Sequence, residues 1–407
     1  MSDNLMKKRW ETAIAGVVMQ ILLGTVYGWS VFKKPLMEMH GWSGAEVGLT
    51  FSLVILFLGL AAALGGRFVD RAGARKVASV AALLFGAGTL LAGYADIIGS
   101  KWVLWLGYGV IAGIGNGLGY ITPIAVLVRW FPDRKGFITG LAVMGFGFGG
   151  ALMGQLAPLL IPRIGIANIF FIFGGLYLVV LLLAAQKMVN PPAGWTPSAA
   201  AGGPAVAPAA VSMDFRQAGR MPQFYLLWLI LFINITAGIA LISNLSPMAQ
   251  IQTGCGAVIG GTLVLVASVF NGLGRIFWST LSDKIGRKAV FLLILGTQVP
   301  VLIWLPHICG PVLFGLLACY ILFCYGGGFS TMPSFAADTF GSRNIGSIYG
   351  KILLAWGVAG VVGPLLMEYV KEATQSFAAA LYIAAGMLVV GFLLALLYRK
   401  PSCGKIG

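Results

Sequence analysis

Charged side chains are scarce in this sequence. Asp, Glu, Lys and Arg make up 10% of the 407 residues, whereas about 25% is usual for a soluble domain. Hydrophobic residues make up 59%, and the mean hydropathy is +0.93. A bilayer can cover so much apolar surface, and each spanning helix needs about 20 apolar residues. The apolar runs are continuous rather than alternating, so the sequence predicts an all-α polytopic membrane protein rather than a β-barrel.

Metal-binding and nucleophilic residues are scarce as well. The five Cys and two His have no ligand spacing, so we predict neither a metal nor a cofactor. No nucleophile or buried acid–base pair points to an enzyme that acts on lipids. A net charge of +15 in a soluble chain would suggest a nucleic-acid partner. Here the charges lie in short loops between apolar runs, which indicates topology instead.

Long apolar runs are abundant. Twelve segments approach or exceed the spanning length. They cover residues 11–33, 45–65, 77–95, 102–130, 135–160, 165–187, 223–247, 257–281, 288–306, 310–338, 344–370 and 374–398. A Pro-, Ala- and Gly-rich stretch separates the sixth segment from the seventh, as a flexible linker would. The predicted organisation is an N-terminal six-helix bundle (1–187), a cytoplasmic linker (188–222) and a C-terminal six-helix bundle (223–407).

The basic residues predict the orientation. With a cytoplasmic N-terminus, the inner connections and both termini contain 20 of the 27 Lys and Arg, and the outer connections contain five. This asymmetry places both termini in the cytoplasm by the positive-inside rule. We expect a bacterial inner-membrane protein that functions as a monomer. The two remaining basic residues, Arg275 and Lys351, lie inside predicted helices.

The two halves repeat one another. "GGRFVDRAGARK" (65–76) follows the second segment, and "WSTLSDKIGRK" (278–288) follows the eighth. Asp70 aligns with Asp283, and Gly73 aligns with Gly286. Because six is an even number, the two halves share one orientation and are related by an axis along the membrane normal.

These features resemble the major facilitator superfamily, which is built from twelve helices with a long central linker. The pattern G-x-x-x-D-R-x-G-x-R-K after the second helix is the most specific of them. A Gly turn, an acid at a helix end and several bases can form charged contacts that latch one conformation and release it. We predict such a latch from the motif and its repeat; the alternative is that the bases only set topology. The predicted latch residues are Gly66, Asp70, Arg71, Gly73, Arg75, Asp283 and Lys284.

Arg275 is the main candidate for a binding residue. It lies eight residues before Asp283, about 12 Å from the helix end and so near the bilayer centre. All twelve acids fall in loops, termini or helix ends, so none is placed to pair with it. A buried Arg needs a partner, and a substrate carboxylate would accept two parallel hydrogen bonds from it. The asymmetry predicts an anionic substrate, and the alternative is that Arg275 snorkels towards the cytoplasm.

Further site candidates surround Arg275. Asn271 precedes it by four residues and shares its helix face. Lys351 is predicted at a similar depth, where it would contact substrate or snorkel. Aromatic residues flanked by Gly occur within three helices at Tyr27, Tyr120 and Tyr325, with Trp29 as a weaker candidate; ordinary packing is their alternative role.

Two stretches narrow the resemblance. "VNPPAGWTP" before the linker and "MPQFYLLWLILFINITAGIALISNLSPMAQ" after it resemble the oxalate:formate antiporter family, which is related to the monocarboxylate transporters. This resemblance implies that a small carboxylate is bound centrally by an Arg of helix eight, here Arg275. It also implies that Tyr27, Tyr120, Phe146 and Tyr325 line the cavity.

The sequence departs from that pattern at three positions. Trp356 stands where the oxalate transporter has a Lys, and Phe146 stands where it has a Tyr. Asn271, which does not titrate, stands where monocarboxylate transporters commonly have an Asp. The lost cation and hydroxyl favour a lactate-like monocarboxylate, although Lys351 keeps an oxalate:formate-type antiporter as an alternative.

The sequence therefore predicts a secondary active transporter of small organic anions that works by alternating access. Proton symport, anion exchange and uniport all stay open. A proton-coupled drug exporter is a further alternative, although it lacks the embedded acid that a cationic substrate requires.

Overall fold

The computed structural model describes residues 2–192, 195 and 213–401. Within these ranges it contains 12 helices that are long and apolar enough to cross a membrane, which confirms the predicted number. The N-terminal half consists of α1 (Ser2–Gly24), α2 (Gly44–Ala72), α3 (Ala74–Ile98), α4 (Lys101–Trp130), and α5 and α6 within the continuous helical stretch Lys135–Gln186. The C-terminal half consists of α7 (Pro222–Thr253), α8 (Ala257–Ile285), α9 (Arg287–Trp304), α10 (Pro311–Phe340), α11 (Ile345–Ile352 and Leu354–Thr374) and α12 (Ala378–Leu397).

Several helices are interrupted. α1 continues as a 3₁₀ turn, Thr25–Trp29, and then as the helix Ser30–His40. Gly165, with φ of 78°, separates α5 from α6. Gly73 and Gly286 join α2 to α3 and α8 to α9, and both have φ of 92°, a conformation that glycine adopts without steric penalty. The shared geometry at Gly73 and Gly286 agrees with the sequence repeat.

Both described ends of the chain lie on one face of the bundle, because twelve spans is an even number. The α2–α3 and α8–α9 connections lie on the same face, which we call the basic face. Trp195, in the first part of the linker, packs on the basic face. Its indole N–H donates to the Trp130 carbonyl at the end of α4. The last part contains the short helix Phe215–Ala218. Residues 193–194 and 196–212 lie outside the described part of the chain.

The two halves meet through close backbone contacts between small residues. Near the basic face, a methyl group at Gly66 of α2 would lie 1.6 Å from the Gly346 carbonyl oxygen at the start of α11. In the matching contact of the other helix pair, a methyl group at Gly136 of α5 would lie 2.0 Å from the Ser279 carbonyl oxygen of α8. Small residues allow membrane helices to approach this closely. The α2–α11 and α5–α8 interfaces are thus equivalent under the repeat.

Candidate substrate site and gate

Arg275 of α8 lies between the two halves and is 1% exposed. Its Nε donates to Asn271 Oδ1 at 3.3 Å, and its Nη1 donates to the Val143 carbonyl of α5 at 2.7 Å. A guanidinium has five N–H donors, so these contacts leave donors for another partner. Among the residues that the structure describes, no carboxylate forms an ion pair with Arg275.

Aromatic rings form a cage beside Arg275. The centroid of Tyr120 lies 5.2 Å from that of Phe146 and 5.3 Å from that of Trp356, and Phe146 and Trp356 are 5.7 Å apart. Tyr27 lies 5.1 Å from Phe146. The cage therefore joins α1, α4 and α5 of one half to α11 of the other. We define the aromatic cage as Tyr27, Tyr120, Phe146, Tyr325, Phe329 and Trp356.

Phe329 connects the cage to Arg275. Its ring centroid lies 4.9 Å from that of Trp356 and 5.1 Å from that of Tyr325, and the Arg275 Cζ lies 5.5 Å from it. A guanidinium over an aromatic face gains a cation–π attraction. Phe329 thus packs against both the cation and the cage, although the sequence analysis did not select it.

Several buried polar groups around the cage make no hydrogen bond of good geometry with the described residues. They are the hydroxyls of Tyr27, Tyr120, Tyr325 and Tyr349 and the indole N–H of Trp356. The hydroxyls lie close to one another and to Arg275: Tyr27 is beside Tyr325 and the guanidinium, and Tyr120 is beside Tyr349. A buried polar group without a partner costs about 1–3 kcal/mol. Because every one of these groups can donate a hydrogen bond, the arrangement suits a ligand that is rich in acceptors, such as a carboxylate.

Local backbone features position the cage. The 3₁₀ turn at Thr25–Trp29 contains Tyr27. A methyl group at Gly150 of α5 would lie 2.7 Å from the Tyr27 Cβ, so only glycine lets these elements meet. In α11 the helix is interrupted at Leu353, whose carbonyl accepts a hydrogen bond from the Trp356 N–H at 2.8 Å. Trp356 follows this interruption and reaches the cage from the second half.

The structure brings together most of the predicted site residues, and two of them lie elsewhere. Arg275, Asn271, Tyr27, Tyr120, Tyr325, Phe146 and Trp356 surround one centre. The prediction that Lys351 contributes is not supported by its position, because its Nζ lies 3.4 Å from the ring centroid of Phe215 in the linker helix. Trp29 is also outside the cage, since its ring stacks on Tyr108 at 5.0 Å and serves packing.

Asp70 and Asp283, the two acids of the predicted latch, both contact the opposite half of the protein. The Asp70 carboxylate accepts hydrogen bonds from the Ser347 backbone N–H at 2.7 Å and from the Arg129 guanidinium. The Asp283 carboxylate accepts from the backbone N–H groups of Gly136 and Phe137, each at 2.9 Å. Each acid of one half therefore lies at the N-terminus of a helix in the other half, where the helix dipole favours negative charge.

The basic residues that complete these contacts differ from those predicted. Arg71, Arg75 and Lys284 are exposed and form no ion pair within the described ranges, so their predicted part in the latch is not supported. The cations that contact acids at the gate lie elsewhere: Arg129 pairs with Asp70, Arg287 with Asp283 and Asp338, and Lys135 with Asp338. Among these ion pairs Lys135–Asp338 joins the two halves, and the other three lie within one half. We call the two inter-half contacts of Asp70 and Asp283 the gate.

Sequence comparisons agree with this architecture. Residues 12–364 match the family model described as Major Facilitator Superfamily. An uncharacterized MFS-type transporter, YhjX of Escherichia coli, is 27% identical over 88% of this chain and 87% of its own length. The oxalate:formate antiporter of Oxalobacter formigenes is 28% identical over 89% and 85%, and mouse monocarboxylate transporter 14 is 23% identical over 86% and 82%.

Comparisons of the fold give the same result. The crystal structure of the transporter FucP in the outward conformation aligns with a TM-score of 0.71 over 96% of this chain and all of that chain, at 15% identity. The human organic anion transporter MFSD10 aligns with a TM-score of 0.75 over 95% and 99%, also at 15% identity. The chain therefore belongs to the Major Facilitator Superfamily, and it is a multi-pass membrane protein that acts as a secondary transporter of a small solute and not as an enzyme.

Proposed function

We propose that this protein transports small organic anions, and that its substrate is a lactate-like monocarboxylate held by Arg275. The observation that carries the proposal is the fully buried guanidinium, which has no carboxylate partner among the described residues and lies beside several buried hydrogen-bond donors. A carboxylate would neutralise the charge and accept from Arg275 in the bidentate geometry that guanidinium groups favour. The oxalate:formate antiporter and the monocarboxylate transporter among the relatives support the same substrate class.

The surroundings of Arg275 favour one carboxylate over two. Lys351, the only other cation predicted at membrane depth, points to Phe215 instead. The cage presents the apolar rings of Phe146, Phe329 and Trp356 opposite the guanidinium. A second carboxylate there would be desolvated without a cation, which is costly, whereas a short apolar tail would gain from burial. Exchange of oxalate and formate is the second candidate, on the strength of the 28% identical relative.

The gate supplies the alternating-access step. We propose that the basic face is cytoplasmic, as the positive-inside rule requires, and that the conformation described here is closed on that side. Opening it would separate Asp70 from Ser347 and Asp283 from Gly136. Binding of an anion to Arg275 lowers the cost of burying the charge when both sides are closed, so the substrate favours the occluded state. Asn271 does not titrate, so proton symport and anion exchange are distinguished only by transport measurements.

The test is uptake of radiolabelled lactate by the purified protein in proteoliposomes. Loss of one partner of a buried charge-assisted pair costs about 2–5 kcal/mol, so Arg275→Gln should lower uptake at low substrate concentration by at least about 30-fold. Lys351→Gln is the matched control, because it removes another partly buried cation that lies outside the cage. Uptake by Arg275→Gln at the level of the Lys351→Gln control would refute the proposal.

The substrate class is tested separately with the unaltered protein. Lactate, pyruvate, formate, acetate and oxalate are offered as unlabelled competitors, with and without a pH gradient and with each anion preloaded inside. Competition by monocarboxylates but not by oxalate is expected. Stimulation by an inward proton gradient would indicate symport, and stimulation by preloaded anion would indicate exchange. Transport of an organic cation and of none of these anions would favour the drug exporter.

A further inference from the structure

A second site is indicated on the lipid-facing surface of the N-terminal half. An apolar groove of ≈ 570 Å³ lies between α2 and α3, with α4 as its floor. Its walls come from the α2 stripe of Leu60, Leu64 and Phe68 together with Val80 of α3, and its floor includes Leu118 of α4. Leu64, Phe68 and Val80 are 64%, 56% and 47% exposed, so the groove is open to the surrounding lipid rather than filled by the protein.

The length of the groove matches a lipid chain. Its α2 wall runs from Ala72 at the basic face to Phe57, which is about 22 Å along the helix at 1.5 Å per residue. Half of the bilayer hydrocarbon is about 15 Å thick. The groove therefore covers the depth of one leaflet and reaches the level of its headgroups at one end.

Positive charge is concentrated at that end. Lys76 lines the groove itself, and Arg71 in the last turn of α2 and Arg75 in the first turn of α3 lie within five residues of it in the chain. All three side chains are exposed and form no ion pair or hydrogen bond with the described residues. The first turn of α3 contains no acidic residue that would offset them. These are the motif bases that the gate does not use.

The second half has less free positive charge at the equivalent positions. Lys284, equivalent to Arg71, is exposed as well, but Ala289 stands in the place of Lys76. Lys288 occupies the position equivalent to Arg75, and its Nζ donates to the carbonyl oxygens of Leu396 and Tyr398 at 2.8 and 2.9 Å. Arg75 has no such partner among the described residues.

We propose that this groove binds an anionic glycerophospholipid, with one acyl chain along α2 and the phosphate at Arg71, Arg75 and Lys76. The partner is a lipid and not a free anion because Lys76 lines one end of a long apolar channel, with Arg71 and Arg75 close to it in the chain. Basic residues at the membrane surface each strengthen binding to anionic lipid, by about five-fold. Three of them give a selectivity of up to about 100-fold over a lipid of zero net charge.

Native mass spectrometry of the full chain in detergent tests the proposal. The dissociation constant of the first bound lipid is measured for phosphatidylglycerol and for phosphatidylcholine. The unaltered protein should prefer phosphatidylglycerol by about ten-fold or more. The triple substitution Arg71→Gln, Arg75→Gln and Lys76→Gln should abolish most of that preference. The matched control is Lys7→Gln, Lys8→Gln and Arg216→Gln, which removes the same charge from exposed residues away from the groove and should keep the preference.

Two further measurements distinguish the contribution of the apolar groove to lipid binding from that of the basic residues. Leu64→Trp keeps all three bases but fills the groove, so it should weaken both lipids. Inorganic phosphate in large excess should displace neither lipid. Equal preference for phosphatidylglycerol in the triple variant and its control, full lipid binding by Leu64→Trp, or competition by inorganic phosphate would each overturn the proposal.

Discussion

Gly66 of α2 packs against the backbone of α11 near the basic face, and this contact predicts the effect of one added methyl group. In Gly66→Ala the new carbon would lie 1.6 Å from the Gly346 carbonyl oxygen and 2.3 Å from the carbonyl carbon. Both are backbone atoms, so no change of rotamer relieves the clash. A carbon and a carbonyl oxygen normally approach to about 3.3 Å. α2 and α11 must therefore move apart there by roughly 1.5 Å or more.

This separation would break the neighbouring gate contact. The Asp70 carboxylate lies 2.7 Å from the Ser347 nitrogen, and an added 1.5 Å or so exceeds hydrogen-bond distance. The contacts that Arg129 makes with the Arg343 and Ser342 carbonyls span the same gap. Charge-assisted hydrogen bonds are worth about 1.5–3 kcal/mol each. Losing about 2–4 kcal/mol would lower the ratio of closed to open basic face by about 30- to 1,000-fold.

Pulsed electron paramagnetic resonance measures this shift. Spin labels are attached after Ala72→Cys and Ile285→Cys, in a background without native cysteines, at two exposed and equivalent positions of the two halves. Gly66→Ala should add or enlarge a population with a longer distance. Gly48→Ala is the control on the same helix, since nothing lies within 4 Å of the methyl position there. Identical distance distributions in the two variants would show that this contact does not close the gate.

Three other substitutions probe the gate and the cage. Asp283→Asn removes the charge that two N–H groups of α5 share; it should favour the open basic face by about 1.5–3 kcal/mol, and unchanged spin-label distances would contradict this. Trp356→Lys places a second cation opposite Arg275, so oxalate should become an effective competitor of lactate uptake, and continued indifference to oxalate would argue against the one-cation explanation. Asn271→Asp puts a carboxylate beside Arg275, where it competes with substrate. Protonation removes that competition, so uptake by this variant should rise as the pH falls, and a pH profile like that of the parent would refute the pairing.

The sequence was sufficient for the fold because each spanning helix is an apolar run of the required length. Helix ends were predicted less well. α7 continues to Thr253, beyond the predicted end at 247. The prediction ended where the apolar run stops, but backbone hydrogen bonds continue the helix through polar residues. Arg275 could be predicted without knowledge of its neighbours, because a charged residue at membrane depth is rare. The cage residues other than Phe329 were predicted from glycine neighbours and family resemblance.

The sequence did not predict which way a side chain points, nor which residues far apart in the chain contact each other. The position of Lys351 predicted its depth but not its orientation, which depends on the linker helix that Phe215 belongs to. Phe329 follows Tyr325 by four residues and shares its face, so this signal was present and was not used. Nothing local pairs Arg129 with Asp70, because they lie 59 residues apart on α4 and α2 and meet only when the N-terminal half folds.

The charge of Arg275 has an electrical consequence if the protein works as a uniporter. A monoanion bound there makes the centre of the loaded carrier neutral, whereas the empty carrier returns with one positive charge. Moving a full charge across the membrane potential is worth about 2.3 kcal/mol per 100 mV. The voltage would then act on the return of the empty protein and not on the translocation of its cargo. The charge of one side chain would thereby decide which half of the transport cycle the cell's membrane potential drives.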